Sequence, residues 1–165
     1  MPEKTPTPAA VPEVRVGTAG GSIPKSHAGA FKAQGKHLER YASRLNAVEI
    51  NSSFYRPHRK ATYERWAASV PDEFRLTVKV PRAITHERRL RDAGDLLERF
   101  LSEVSGLGDK LEPLLVQLPP SLHGEPGVSD AFLALAASPP TLVTFKGRGL
   151  RLRLPRRKSS PRRAG

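Results

Sequence analysis

Glu49, Asn51, Lys79, His86 and Gln117 are the residues of this sequence whose types suit proton transfer or substrate orientation, and each sits on or just past a short β-type run. In Ala47-Val-Glu-Ile-Asn51 the side chains alternate with period two, so Glu49 and Asn51 share one face and Val48 and Ile50 the other. A carboxylate and a carboxamide on a strand otherwise fit for burial cost free energy unless they are paired, which marks either a site or a polar interior. Lys79 lies on the corresponding face of the next run, 75–80, so Glu49 and Lys79 form either an acid and base that set each other's pKa or a structural ion pair. Asn51 and Gln117 donate and accept through amides, and either orient a substrate or satisfy each other and strand-end backbone groups. Tyr55 and Arg56 follow the Glu49 run directly and suit an anion or a ring, with Phe54 as a structural plug beside them. Thr18, closing the first run, joins them as a substrate-binding candidate. His86 follows run 75–80 on a loop, the place for a general acid/base or a metal ligand.

Other chemistries find less support. Glu49 and His86 lack a spaced third ligand, so no metal is assigned, and no cofactor is specified. Gly17, Gly20 and Gly21 make a turn whose amides suit a phosphate, yet Ser22-Ile-Pro-Lys25 matches neither a dinucleotide nor a Walker loop. Spacing alone assembles no Ser/His/Asp triad, and nothing singles out His27, His37, His58 or His123.

The elements that must position these residues recur about every 30 residues. β-branched or apolar runs cover 14–18, 48–51, 75–80, 114–118 and 141–145, and helical spacing predicts helices over 37–45, 61–70, 92–107 and 128–137. The third helix is the strongest, with Leu96, Leu97, Phe100, Leu101 and Val104 on one face and Asp92 and Asp95 at its start. Alternation of strands and helices implies right-handed crossovers and a mainly parallel α/β sheet. In an open doubly wound sheet the central strands are almost wholly apolar. Here one face of each strand is aliphatic and the other turns polar, which describes a (β/α) barrel with its site at the C-terminal strand ends. Eight units take about 250 residues, and 165 hold four to five.

Composition narrows the class. A chain that is 38% apolar and 27% charged is an ordinary globular domain, and without cysteine it has no disulfide, thiolate nucleophile or Cys-ligated metal. The N-terminus lacks an apolar signal core and no stretch approaches a membrane span, so a cytoplasmic location is expected. The net charge of +12 is concentrated: residues 146–165 hold nine cations and no anion, leaving 19 cations against 16 anions before them. Three parts are expected: an N-terminal disordered segment 1–13, a domain 14–145, and a basic disordered tail 146–165 that attracts nucleic acid without sequence selectivity.

Several phrases stand in order: Val16-Gly-Thr-Ala-Gly20, the run 37–56 ending Glu49-Ile-Asn-Ser-Ser-Phe-Tyr-Arg56, the run 62–90, and Gly108-Asp-Lys-Leu-Glu-Pro-Leu-Leu-Val-Gln-Leu118 with the residues to 122. Together they resemble the YecE-like family, domain of unknown function 72, over residues 14–122. The resemblance implies a TIM-type barrel of uncharacterised activity, and it places His86 in the family's Ile-Thr-His phrase. Two departures follow. Gly21 stands where the family usually has Trp, which removes an aromatic wall from the first loop. After residue 145 the family's later strands give way to Arg, Pro, Gly and Ser, so a truncated or frame-shifted, inactive product is expected, with barrel edges that aggregate or dimerise. The function expected of an intact member is acid/base or hydrolytic chemistry on a small-molecule or anionic ligand. The alternative is a nucleic-acid-binding or nuclease-like protein using the basic loops 56–60 and 82–91 with the tail.

Overall fold

The aliphatic residues of the β-type runs find their partners in parallel strands. A computed structural model describes residues 14–122, 126–136 and 143–146. Strand β1 (Ala47–Ile50) pairs in parallel with β2 (Arg75–Val78), with Glu49 opposite Thr77, and β3 (Leu114–Gln117) pairs in parallel with β4 (Val143–Lys146). Single bridges at Leu76–Leu111 and Lys79–Leu115 join β2 to β3, where Val80 N–H donates to the Leu115 carbonyl at 2.9 Å. Ahead of β1, residues 16–20 run alongside it through Ala47 N–H to Val16 O and Glu49 N–H to Thr18 O, both 3.2 Å, and Gly20 N–H to Glu49 O at 2.8 Å. The architecture is mixed α/β with parallel neighbours in chain order.

That leading segment is weaker than the sequence pattern suggests, reaching a single bridge, Ala19–Glu49. Val14 and Val16 are exposed, so nothing packs on their alternation, and Gly17 and Gly20 contribute no side chain. The other strands hold the expected face. Val48, Ile50, Leu76, Val78, Val80, Leu114, Val116 and Leu118 are all buried in one core, whereas Glu49, Thr77 and Gln117 on the opposite face remain partly exposed.

The helices cover the aliphatic face: α1 (His37–Tyr41), α2 (Lys60–Ala68), α3 (Gly94–Val104) and α4 (Pro126–Ala136). α1, α2 and α3 end earlier than their patterns, whereas α4 starts two residues ahead of its own, and at the ends of α1 and α2 local polar groups compete. Ser43 Oγ bonds back to the Arg40 carbonyl just past α1, and Ser69 Oγ bonds back to the Trp66 carbonyl at the end of α2. The expected start of the third helix at Asp92 is incorrect: Asp92 has φ 43°, and Arg89 and Leu90 are also left-handed at 52° and 66°. Left-handed backbone cannot continue a right-handed helix, so α3 begins at Gly94 with Asp95 in its first turn. Burial of Leu90 and the Arg89 guanidinium, which donates to the Ser121 carbonyl at 2.9 Å, hold that loop in place. The far end of α3 tightens into a 3-10 turn (Ser105–Lys110) that packs on α2.

Leu97, Phe100 and Val104 of α3, Tyr63 of α2 and Tyr41 of α1 fill the core, with Tyr41 edge-on to Phe74 at 6.4 Å. Residues 141–142, part of the fifth expected run, and the segments 1–13 and 147–165 lie outside the described residues.

Candidate functional site

Residues at the carboxyl ends of β1 and β2 converge because each strand breaks there into a tight turn. After β1, a 3-10 turn (Ser52–Phe54) carries Phe54 back over the sheet. Ser53, buried in that turn, shares its one O–H between the Lys79 carbonyl at 2.7 Å and the Ile50 carbonyl at 3.0 Å, tying the two strand ends together. After β2, a π-helical turn (Ala83–Glu87) opens with Pro81 and presents His86. Sequence periodicity gives no sign of either turn, since neither spans two turns of a regular helix.

Lys79 is 8% exposed, and its ammonium lies 4.2 Å from the centroid of the Phe54 ring. His86 stands edge-on to the same ring at 5.1 Å, and its Nδ1 shares a 2.9 Å hydrogen bond with Thr85 Oγ1. Burial, with Arg82 and then Lys79 nearby, holds the imidazole pKa below its ordinary value. A neutral imidazole beside a buried cation is an acceptor poised to take a proton while the ammonium attracts an anion.

Glu49 and Asn51 face a different opening. A cavity of about 360 Å³ is walled by the backbone of Gly20 and Gly21, by Glu49, Asn51 and Tyr55, and by Trp66 from α2. The Asn51 Oδ1 is buried and has no hydrogen-bond partner, so Asn51 and Gln117 do not satisfy one another through that oxygen. The Gly21 carbonyl is bonded to His37 Nε2 at 2.8 Å. At Gly21, φ is 63° and a Cβ would come within 2.9 Å of Val48 Cγ2, so an aromatic wall at this position does not fit the present loop path. Trp66 and Tyr55 supply the rings instead. On the opposite side Glu49 also borders a shallower depression of about 310 Å³, with Thr18, Thr77, Leu115 and Thr144.

The sequence-derived candidates therefore divide. Lys79 and His86 meet across Phe54, and Glu49, Asn51 and Tyr55 share the larger cavity. Arg56 is exposed, close enough to His58 to lower its pKa, while Tyr55 is edge-on to Phe54 at 5.0 Å. Thr18 is committed to Tyr41, whose hydroxyl lies 2.7 Å from Thr18 N and 3.0 Å from Thr18 Oγ1. Gln117 ends β3 opposite Lys146 in the ladder, partly exposed. Sequence reasoning missed His37, Trp66, Ser52 and His58. Trp66 reads as part of a core stripe, and the histidines carry no spacing signal. Among the described residues no group of three or more His, Cys, Asp or Glu is placed to hold a metal ion, and no helix is long and apolar enough to cross a membrane.

The model of "Protein of unknown function DUF72" matches residues 15–148. The chain belongs to the DUF72 family. UPF0759 protein YecE of Escherichia coli K12 is 35% identical over 82 residues, which is 50% of this chain and 30% of that protein. A solved DUF72 family protein from Enterococcus faecalis superposes with a TM-score of 0.61 at 23% identity, covering 81% of this chain and 51% of its own. A second, from Thermotoga maritima, gives 0.55 at 21% identity over 71% and 48%. The chain thus spans under a third of the curated relatives it matches and about half of the solved ones. At these identities the solved relatives speak to the DUF72 fold and not to its chemistry.

Proposed function

We propose that this DUF72 chain carries an enzyme-like site at the carboxyl ends of its parallel strands, which binds a small anionic molecule and performs acid/base chemistry on it. The observation that carries the reading is the buried Lys79 ammonium stacked on Phe54, with a neutral His86 on the same ring. A cation held against an aromatic face at the carboxyl ends of parallel strands lies where a barrel receives its ligand, and its charge favours an anionic one. In this reading Lys79 anchors the anion and His86 moves the proton, while Glu49 and Asn51 line the neighbouring cavity and take no part in holding that anion.

We also propose that the strands belong to a (β/α) barrel of TIM type. Parallel neighbours in chain order, helices on the aliphatic face and a polar opposite face support it. The experiment is a thermal-shift screen of small carboxylates and phosphates against the wild type, Lys79→Met and Glu49→Gln. Compounds that raise the wild-type midpoint are expected to lose their effect in Lys79→Met. A screen in which none acts, or in which hits act equally on Lys79→Met, would remove the anion site.

A further inference from the structure

Ser52 and His58 lie six residues apart, off any one helix face and outside any strand, and the turn after β1 brings Ser52 Oγ within 2.8 Å of His58 Nε2. A serine hydroxyl becomes a useful nucleophile when a neutral imidazole within about 2.6–3.2 Å can take its proton. His58 meets the other requirements of such a base. Its ring is fixed edge-on against Trp66 at 5.1 Å and Tyr63 at 5.9 Å, which holds Nε2 toward Ser52. Burial and then Arg56 keep it neutral, while the Glu103 carboxylate of α3 acts the other way and favours the imidazolium that forms during proton transfer. Ser52 also borders the 360 Å³ cavity walled by Asn51, Tyr55 and Trp66, so the hydroxyl has a substrate-sized space beside it.

We propose that Ser52 and His58 form a nucleophile–base dyad that hydrolyses small neutral esters bound in the Tyr55–Trp66 cavity. Ser52 Oγ forms a bond to the ester carbonyl carbon as its proton passes to His58 Nε2. The carbon–alkoxide bond then breaks, and the alcohol leaves with the proton returned by His58. Water, deprotonated by the same imidazole, attacks the acyl group, releases the carboxylic acid and restores the serine. The Asn51 amide, in the same cavity, is the group available to the developing oxyanion. The cavity's aromatic and aliphatic walls, with the Glu49 carboxylate among them, select a neutral ester over an anionic one. This chemistry is separate from the Lys79–His86 anion site.

The test is covalent labelling of the full chain by an alkyl fluorophosphonate, in which Ser52 Oγ forms a bond to phosphorus and fluoride leaves. Intact mass and peptide mapping are expected to show one adduct, on Ser52, forming faster as pH rises through the His58 titration. Ser52→Ala, which removes a single exposed oxygen, is expected to abolish it. His58→Gln is expected to slow labelling by about 100-fold or more and to remove the pH dependence. No adduct on the wild type, an adduct elsewhere that persists in Ser52→Ala, or unchanged labelling of a folded His58→Gln variant would each overturn the dyad. Because the readout is the adduct on Ser52, its failure leaves the Lys79–His86 reading standing, and loss of that reading leaves the label unaffected.

Discussion

Replacing Lys79 by Met removes one positive charge while keeping an unbranched side chain of similar length on Phe54, and the effect is read on a neighbour, His86. The ammonium is 4.2 Å from the Phe54 centroid and the imidazole is 5.1 Å from it on centroids, so the two groups are at most about 9 Å apart. Two unit charges at that separation repel by about 0.5 kcal/mol in bulk water and about 2 kcal/mol at an effective dielectric constant near 20. The true value falls between, because His86 is partly exposed and screened by solvent. Lys79 is one of three influences that lower the His86 pKa, after burial and Arg82, so its removal must raise that pKa without restoring it fully. The assay is a proton NMR titration of the histidine ring signals in wild type and Lys79→Met, with Arg82→Gln as a second charge deletion that should also move the inflection up. An unchanged or lowered His86 inflection in a folded Lys79→Met variant would refute the placement of the ammonium beside Phe54.

Three further outcomes follow from the same structure. Tyr63 is fully buried and its hydroxyl has no hydrogen-bond partner, so Tyr63→Phe should stabilise the fold by about 1 kcal/mol, measured as a rise in the urea midpoint; a fall would mean that the hydroxyl is satisfied in solution. His58 and His86 both have folded pKa values below the ordinary 6.5, so the unfolded chain binds protons first. Their share of stability is complete above 6.5 and is lost as pH falls through their folded values, and urea midpoints that rise on acidification through that window would contradict this. DNA affinity of the full chain should fall steeply with salt and vanish on deletion of residues 146–165, measured by fluorescence anisotropy; affinity retained by residues 1–145 would move nucleic-acid binding into the domain.

Much of the fold was legible because alternation is imposed by a physical boundary. Val48, Ile50, Leu76 and Val78 had to face the helices, and that put Glu49 and Thr77 on the other side whatever the loops did. The convergence of Lys79 and His86 on Phe54 was not legible, since it depends on a 3-10 turn and a π turn fixed by Ser53 bridging two strand ends. The left-handed backbone at Arg89, Leu90 and Asp92 defeated the helix boundary for a similar reason: a tertiary contact to Ser121 and burial of Leu90 outweigh local preference. Thr18 lies on a segment that reaches β1 through a single bridge and is not a strand, and its hydroxyl answers to Tyr41, a buried residue of α1 23 positions away.

The central claim is that Lys79 and His86, meeting on Phe54 at the strand ends, bind an anion, and a titration with inorganic phosphate followed through the His86 ring signals tests it most directly. Saturable shifts of His86 in the wild type that disappear in Lys79→Met are predicted. Ring signals that stay put, or that respond identically without Lys79, would contradict it.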